Sequence, residues 1–276
     1  MNDTRRFAAL GGDARQTWAV RALRRAGFSV GTFGVPDCPD AASSPEELLA
    51  RAECVLLPMP AFAGEYITGG GIPSARILAG LRPGTAVFGG KLGHRLDGCG
   101  GVSAFDYGAD EILAAANAVP TAEGAVQIAL EQLPVTLQGS RCLVIGFGRI
   151  GKLLCRKLAA LGADVTAAAR SEKDLALIAA LGLRADRTGC YERPLGAYDA
   201  VFNTVPAPVL DEAQLAALPP GCLLVELASA PGGADPAACR ALGVDLVTAR
   251  GLPGRAAPKT AGELVCAAVL RGLEAL

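Results

Sequence analysis

Gly146-Phe147-Gly148-Arg149-Ile150-Gly151 spells G-x-G-x-x-G directly after the apolar run Cys142-Leu143-Val144-Ile145 and ahead of a stretch with helical spacing. In a strand–turn–helix setting this spacing has a physical meaning. Gly146 permits the tight turn, Gly148 lets the backbone approach a ligand, and Gly151 lets the helix pack on the strand. A pyrophosphate would then sit on the free N–H groups at the helix start, with Phe147, Arg149 and Ile150 around it. The residues after the next strand narrow the choice of nucleotide. A ribose with a free 2′-hydroxyl is usually met there by Asp or Glu. This chain has Ala169-Arg170-Ser171 instead, and Asp164 lies at the wrong end of the strand. A guanidinium can pair with a 2′-phosphate through two N–H bonds, and serine adds a donor. The pattern favours NADP(H) over NAD(H); the alternative for Arg170 is a solvated loop charge.

Two further loops fall at carboxyl ends of strands, where open α/β sheets bind ligands. One is Asn203-Thr204-Val205-Pro206. The other is Ala228-Ser229-Ala230-Pro231-Gly232-Gly233. Thr204, Val205 and Pro206, with Ala228 and Ser229, are candidates to line the nicotinamide end. Plain turns are the alternative.

The elements that must hold these loops alternate regularly. In the first half, Phe7–Gly12, Phe28–Phe33, Ala52–Leu57 and Thr85–Phe88 read as strands. Helices are expected over Ala14–Ala26 and Pro73–Ala79. Pro120-Thr121-Ala122-Glu123 opens a helix to about Leu133, with Thr121 as N-cap and Glu123 in the first turn. In the second half, strands at 141–146, 164–169, 200–203, 222–227 and 244–247 alternate with helices at 149–161 and 172–181. A long apolar helix over Thr260–Leu276 closes the chain. The expected class is α/β: two Rossmann-like or flavodoxin-like domains, each a mostly parallel sheet, with an interdomain cleft. The expected domains are 1–119, a substrate domain joined by the C-terminal helix 260–276, a connecting helix 120–138, and a Rossmann domain 139–259.

Composition limits the partners. The chain has 276 residues, 51% hydrophobic and 19% charged, with net charge −1. That supplies large cores and offers no basic surface for nucleic acid. No apolar run is long enough to span a bilayer, and the first residues lack the pattern of a signal peptide. A cytoplasmic location is expected. None of the nine cysteines forms a Cys-x-x-Cys pair. They read as reduced core residues, and no metal site is expected.

With these loops placed, the chain resembles the A subunits of dipicolinate synthase over nearly its whole length. The resemblance rests on Gly11-Gly12-Asp13-Ala14-Arg15-Gln16, Pro120-Thr121-Ala122-Glu123-Gly124, the glycine fingerprint with Ala169-Arg170-Ser171, and Leu227-Ala228-Ser229 with Pro231-Gly232-Gly233. It also rests on Gly251-Leu252-Pro253-Gly254 leading to Ala257-Pro258-Lys259-Thr260-Ala261-Gly262. It implies an NADP-dependent dehydrogenase subunit that works with a flavin-binding B subunit in the mother cell of a spore former. The implied reaction oxidises a dihydrodipicolinate or 4-hydroxy-tetrahydrodipicolinate to pyridine-2,6-dicarboxylate.

A dicarboxylate needs cationic or N–H partners. Arg15, at the start of a helix after Gly11-Gly12, is the candidate clamp, with Asp13 capping that helix or binding substrate and Gln16 donating one bond. Lys259 is the candidate for the second carboxylate, with Thr121 and Thr260 as further substrate contacts. Glu123 is the candidate for proton transfer, with helix capping as its alternative. His94 is the single histidine and reads as a solvated loop residue. Other readings stay open: a D-2-hydroxyacid or alanine dehydrogenase, a non-catalytic NADP(H) sensor or scaffold, and self-association into a homo-oligomer.

Overall fold

A computed structural model describes residues 5–276; residues 1–4, which open the N-terminal segment expected to lack a signal peptide, lie outside the described residues. The chain forms two compact units, Met1–Asn117 with Pro253–Leu276, and Ala118–Leu252.

The first unit is built on five parallel strands: β1 (Arg6–Leu10), β2 (Ser29–Phe33), β3 (Cys54–Leu56), β6 (Ala86–Gly89) and β7 (Ser103–Asp106). Their order is β2-β1-β3-β6-β7, the flavodoxin-like arrangement. A small hairpin, β4 (Phe62–Ala63) and β5 (Tyr66–Ile67), stands after β3. Side chains alternate across the sheet. Phe7 and Ala9 face one buried cluster with Val20 and Leu23 of α1 (Ala14–Arg25) and Val265 and Val269 of α10 (Pro258–Ala275). Ala8 and Leu10 face the other, with α2 (Pro45–Leu49) and α3 (Ser74–Gly80). Helices α1 and α10 lie close because Gly262 has no side chain: a Cβ there would come within 2.5 Å of the Arg15 carbonyl oxygen and of Trp18 Cβ.

The second unit has six parallel strands: β8 (Arg141–Ile145), β9 (Asp164–Ala169), β10 (Arg184–Arg187), β11 (Ala200–Asn203), β12 (Leu223–Glu226) and β13 (Asp245–Thr248). Their order, β10-β9-β8-β11-β12-β13, is that of a dinucleotide-binding Rossmann sheet. Cys142 and Val144 pack with α5 (Arg149–Ala160) and with Ile178 of α6 (Glu172–Ala180). Leu143 and Ile145 pack on the opposite face with α7 (Glu212–Ala216) and α8 (Pro236–Leu242). A short α9 (Leu252–Ala256) precedes α10. The expected α/β class with two parallel sheets is what the chain adopts.

One helix begins earlier than expected. α4 runs from Glu111 to Gln132, with Pro120 inside it. The Asp110 carboxylate accepts the N–H groups of Ile112 and Leu113 at 2.8 and 3.1 Å, so the helix starts there. The alanine-rich turn Leu113–Ala116 carries it forward, and Pro120 removes only one backbone donor. Thr121 is therefore a helix-interior residue and not an N-cap, and Glu123 is not in a first turn. The helix ends at Gln132, next to the expected Leu133, and residues 133–138 of the expected connecting segment are not helical.

No disulfide joins the cysteines among the described residues, and Cys54, Cys142, Cys155, Cys222, Cys239 and Cys266 are buried. Burial pushes the Cys142 and Cys266 thiols up to about 11 and those of Cys155 and Cys222 to about 12. They are neutral core groups. No helix among the described residues is long and apolar enough to cross a membrane.

Candidate functional site

In the second unit the strand order reverses between β8 and β11, and a groove of about 640 Å³ opens at their carboxyl ends. It is lined by Gly146, Phe147, Gly148, Ala169, Arg170, Ser171, Thr204, Val205 and Pro206. Three loops far apart in sequence, each read as a nucleotide contact, thus meet in one place. Asp174 and Thr188, not foreseen, line it too.

The three fingerprint glycines do different work. Gly146 has φ +98°, and a Cβ there would collide with the Thr204 hydroxyl. A Cβ on Gly151 would strike the carbonyl oxygen of Gly146, so only glycine lets α5 start this close to β8. Around Gly148 nothing lies within 4 Å of a built Cβ. The open glycine faces the groove, and the crowded two shape it. Arg149 and Ile150 follow as the first residues of α5.

Arg170 is exposed, and its guanidinium makes no hydrogen bond or ion pair with another described residue. Ser171 differs from expectation. Its hydroxyl caps α6 by accepting the Asp174 N–H at 3.1 Å and lies 2.8 Å from Asp174 Oδ2, to which it donates. It is not a free donor for a phosphate. The Thr204 hydroxyl likewise donates to the Ile145 carbonyl at 2.9 Å. Thr204 lines the groove but offers it no donor.

Beneath the groove lies a buried pair whose role sequence reasoning missed. Glu226, 7% exposed, ends β12, and Asn203, 1% exposed, ends β11. Asn203 Nδ2 donates to both Glu226 carboxylate oxygens, at 2.8 and 3.0 Å. Glu226 also accepts the N–H groups of Ala228 at 2.9 Å and Gly233 at 2.6 Å. Asn203 Oδ1 accepts the Val205 N–H at 3.0 Å. One carboxylate thus fixes the Thr204–Pro206 loop through Asn203 and the 228–233 loop directly. The signal available in sequence was an acid closing the apolar strand Leu223-Leu224-Val225. Ala228 is buried by this arrangement and Ser229 is exposed; neither is among the groove's lining residues.

Glu123 stands on α4, half-exposed, and pairs with Lys157 at 2.9 Å. Lys157 lies in the last turn of α5, eight residues and about 12 Å along the axis from the end that faces the groove. The ion pair accounts for Glu123 as a surface group tying α4 to α5.

In the first unit the strand order reverses between β1 and β3. Gly11 and Gly12 turn the chain at φ +60° and +98°, and Asp13 caps α1 by accepting the Arg15 N–H at 2.9 Å. The Arg15 side chain returns to the same carboxylate, with Nε at 2.9 and 3.0 Å and Nη2 at 2.7 Å. Nη2 also donates to the Met59 carbonyl at 2.9 Å. The fork expected for a substrate carboxylate therefore holds Asp13, and Nη1 is left over. The Arg15 pair and the helix-cap bonds hold the Asp13 carboxyl below its ordinary range, against a burial effect that acts the other way. Gln16 is not a substrate contact here: it is 3% exposed, and Nε2 donates to the Leu56 carbonyl at 3.0 Å. Lys259, in the first turn of α10, is exposed with Nζ 5.6 Å from the Trp18 ring centroid. Thr260 beside it is exposed, and Thr121 is half-buried inside α4. His94 is 99% exposed and pairs with Asp97 at 3.0 Å, as a solvated loop residue does.

Comparison with known proteins follows this division. Residues 6–99 match the family model for the N-terminal domain of the dipicolinate synthase A subunit. Residues 112–248 match the NAD-binding domain of D-isomer specific 2-hydroxyacid dehydrogenases, so the second unit is a nicotinamide-nucleotide domain of dehydrogenase type. The A subunit of dipicolinate synthase from Bacillus subtilis (strain 168) is 38% identical over 149 residues, 54% of this chain and half the length of that relative. The solved structure of the dipicolinate synthase A subunit from Bacillus halodurans matches with TM-score 0.86 at 26% identity, over 99% of both chains. That of its Bacillus subtilis counterpart matches with TM-score 0.80 at 29% identity, over all of this chain and 97% of the other. Groove, strand orders and relatives agree, and the chain is similar to the A subunits of dipicolinate synthase, in sequence over about half its length and in fold over nearly all of it.

Proposed function

We propose that this chain is the dehydrogenase subunit of a dipicolinate synthase. It oxidises a dihydropyridine-2,6-dicarboxylate, formed directly or by loss of water from a 4-hydroxy-tetrahydro precursor, to pyridine-2,6-dicarboxylate. The observation that carries this reading is the groove at the second unit's switch point, where an open Gly148 and an unpaired Arg170 share one wall. The residues fit NADP(H): the start of α5 for the pyrophosphate and Arg170 for the 2′-phosphate. Bound there, the nicotinamide supplies the hydride acceptor. One hydride and one ring proton leave the substrate, and the aromaticity gained draws the step forward.

The chain's own groups bind and orient. Glu226 and Asn203 hold the loop that meets the nicotinamide end. Arg15 at the first unit's switch point is the proposed carboxylate anchor, through Nη1 or by exchanging Asp13 for substrate. Lys259, free of ion pairs among the described residues, is proposed for the second carboxylate. Glu123 gains no such support, because its partner is Lys157. A 2-hydroxyacid dehydrogenase would want a histidine base, and the single histidine is the solvated His94. The family further suggests a flavin-binding protein partner, with action in the mother cell. The test is an assay with purified chain, NADP⁺ and the hydroxylated precursor, with and without a B-type flavoprotein, following dipicolinate by its absorbance. Dipicolinate formed with NADP⁺ supports the reading. No product under either condition overturns it.

A further inference from the structure

Asp174 is the one acid among the described residues that line the nucleotide groove, and it stands beside the residues assigned to the 2′-phosphate. It lies in the first turn of α6. Its Oδ2 accepts the Ser171 hydroxyl at 2.8 Å, which removes that hydroxyl from any phosphate. Its Oδ1 lies 3.7 Å from Lys152 Nζ. Lys152, one turn into α5, carries its ammonium 5.4 Å from the centroid of Phe147, itself a groove-lining ring. Asp174 therefore does two things at once. It places a negative charge in the groove, and it draws a second cation, a donor, and their bonding capacity to itself.

We propose that Asp174 is the cofactor-specificity residue of this groove: it holds Lys152 and Ser171 away from the 2′-phosphate and opposes that phosphate's charge, so that the site discriminates NADP(H) from NAD(H) less than Arg170 and Lys152 would alone. The inference rests on the proposed placement of a nicotinamide nucleotide in the groove, with its 2′-position at Arg170. The physical argument is one of charge count. A phosphate brings close to two negative charges into a space shared with a carboxylate, and like charges at such range oppose binding strongly. A free 2′-hydroxyl brings none, so NADH is indifferent to the same carboxylate. Lys152 is released only when Asp174 is neutralised, and its ammonium then serves the phosphate as a point charge.

The experiment is a fluorescence titration of NADPH and NADH on the full chain and on D174N, K152A, K152A/D174N and R170A. Asparagine keeps the shape of Asp174 and an oxygen for the Ser171 hydroxyl, and the Ser171 cap of the Asp174 N–H is untouched. D174N is expected to tighten NADPH roughly tenfold and to leave NADH within about twofold. In the K152A background the gain from D174N should shrink, because the released cation is missing. Unchanged or weaker NADPH binding in D174N overturns the inference. So does a tenfold loss of NADH affinity, which would make Asp174 the acceptor of the ribose hydroxyls. R170A separates the inference from the reading beneath it. If R170A leaves NADPH untouched while D174N still tightens it, the assignment of Arg170 falls and Asp174 keeps its role. If R170A weakens NADPH and D174N does not strengthen it, the assignment holds and the inference falls.

Discussion

Asn203 Nδ2 bridges both carboxylate oxygens of Glu226, at 2.8 and 3.0 Å, between the ends of two neighbouring strands. Glu226→Gln keeps the volume but turns one acceptor into a donor facing Asn203 and the N–H group of either Ala228 or Gly233, which bond different carboxylate oxygens. Leaving such buried groups unmatched costs about 1–3 kcal/mol. The expected outcome is a lower urea midpoint and cofactor binding weakened at least fivefold. Unfolding curves and nucleotide titration check both, and an unchanged cofactor affinity would show the two loops to be held without Glu226.

The glycines separate folding from binding. Gly148→Ala meets nothing within 4 Å and should fold as the parent does, with cofactor affinity reduced at least tenfold. Gly151→Ala drives a methyl into the Gly146 carbonyl and should lose stability, by roughly 1–3 kcal/mol for overpacking. Far-ultraviolet circular dichroism during thermal melting, paired with NADPH titration, reads the two effects apart. Equal melting of the two variants would contradict the assignment.

Arg170→Ala should weaken NADPH by ten- to a hundred-fold, the equivalent of about 1.5–3 kcal/mol for a charged hydrogen-bonded pair, and leave NADH nearly unchanged. Its guanidinium has no structural partner to lose, so stability should hold. Loss of stability in this variant would remove the basis of the comparison.

Arg15→Ala should lower kcat/KM for the dicarboxylate about a hundredfold while NADPH affinity stays put. Because Arg15 also bonds Asp13 and the Met59 carbonyl, Arg15→Lys is the more telling variant. A lysine can serve one acceptor as a point charge but cannot reproduce the fork. Partial recovery of both kcat/KM and stability is expected, with NADPH affinity unchanged. Near-parental kcat/KM in Arg15→Ala would leave Arg15 a purely structural brace of the switch point.

Acid should loosen the first unit through Asp110. Burial alone would raise this carboxyl, but its pairing with Arg271 and the N–H groups of Leu113 and Ile112 hold it below 3.8. A carboxyl depressed on folding stabilises fully above its unfolded value, and the contribution is lost as pH falls from about 4 through the folded one. Asp110→Asn should remove about 1.5–3 kcal/mol at pH 7 and flatten that acid dependence. Trp18, the single tryptophan, lies in the first unit, so its fluorescence in urea reports on this unit alone. An unaltered acid profile in the variant would rule Asp110 out.

Legibility in the sequence followed locality. Gly146, Gly148 and Gly151 could be read because their constraints act within one turn of chain. The β–α alternation could be read because apolar runs and glycine stops recur at short range. Pro120 misled, since a proline usually starts a helix; here the start was decided ten residues upstream by Asp110. Arg15 was found as a cation at a strand end, but its engagement by Asp13 depends on a side-chain rotamer that spacing does not show. Glu226 and Asp174 were missed because their partners, Asn203 and Lys152, lie 23 and 22 positions away. Gln16 looked available and is buried under Leu56, a contact 40 residues off.

The placement of α10 has a consequence for how the protein is made. The strands of the first sheet leave the ribosome early, yet Val265, Cys266, Ala268, Val269 and Leu273, which cover one face of that sheet, come last. All of residues 118–252 are polymerised in between. At typical elongation rates that interval is on the order of ten seconds. During it Phe7, Ala9, Leu56 and Phe88 have no α10 to shield them, while the second unit already owns its whole core. The later-synthesised unit can therefore finish folding first, and the nascent chain presents a half-clad sheet to whatever chaperone is at hand.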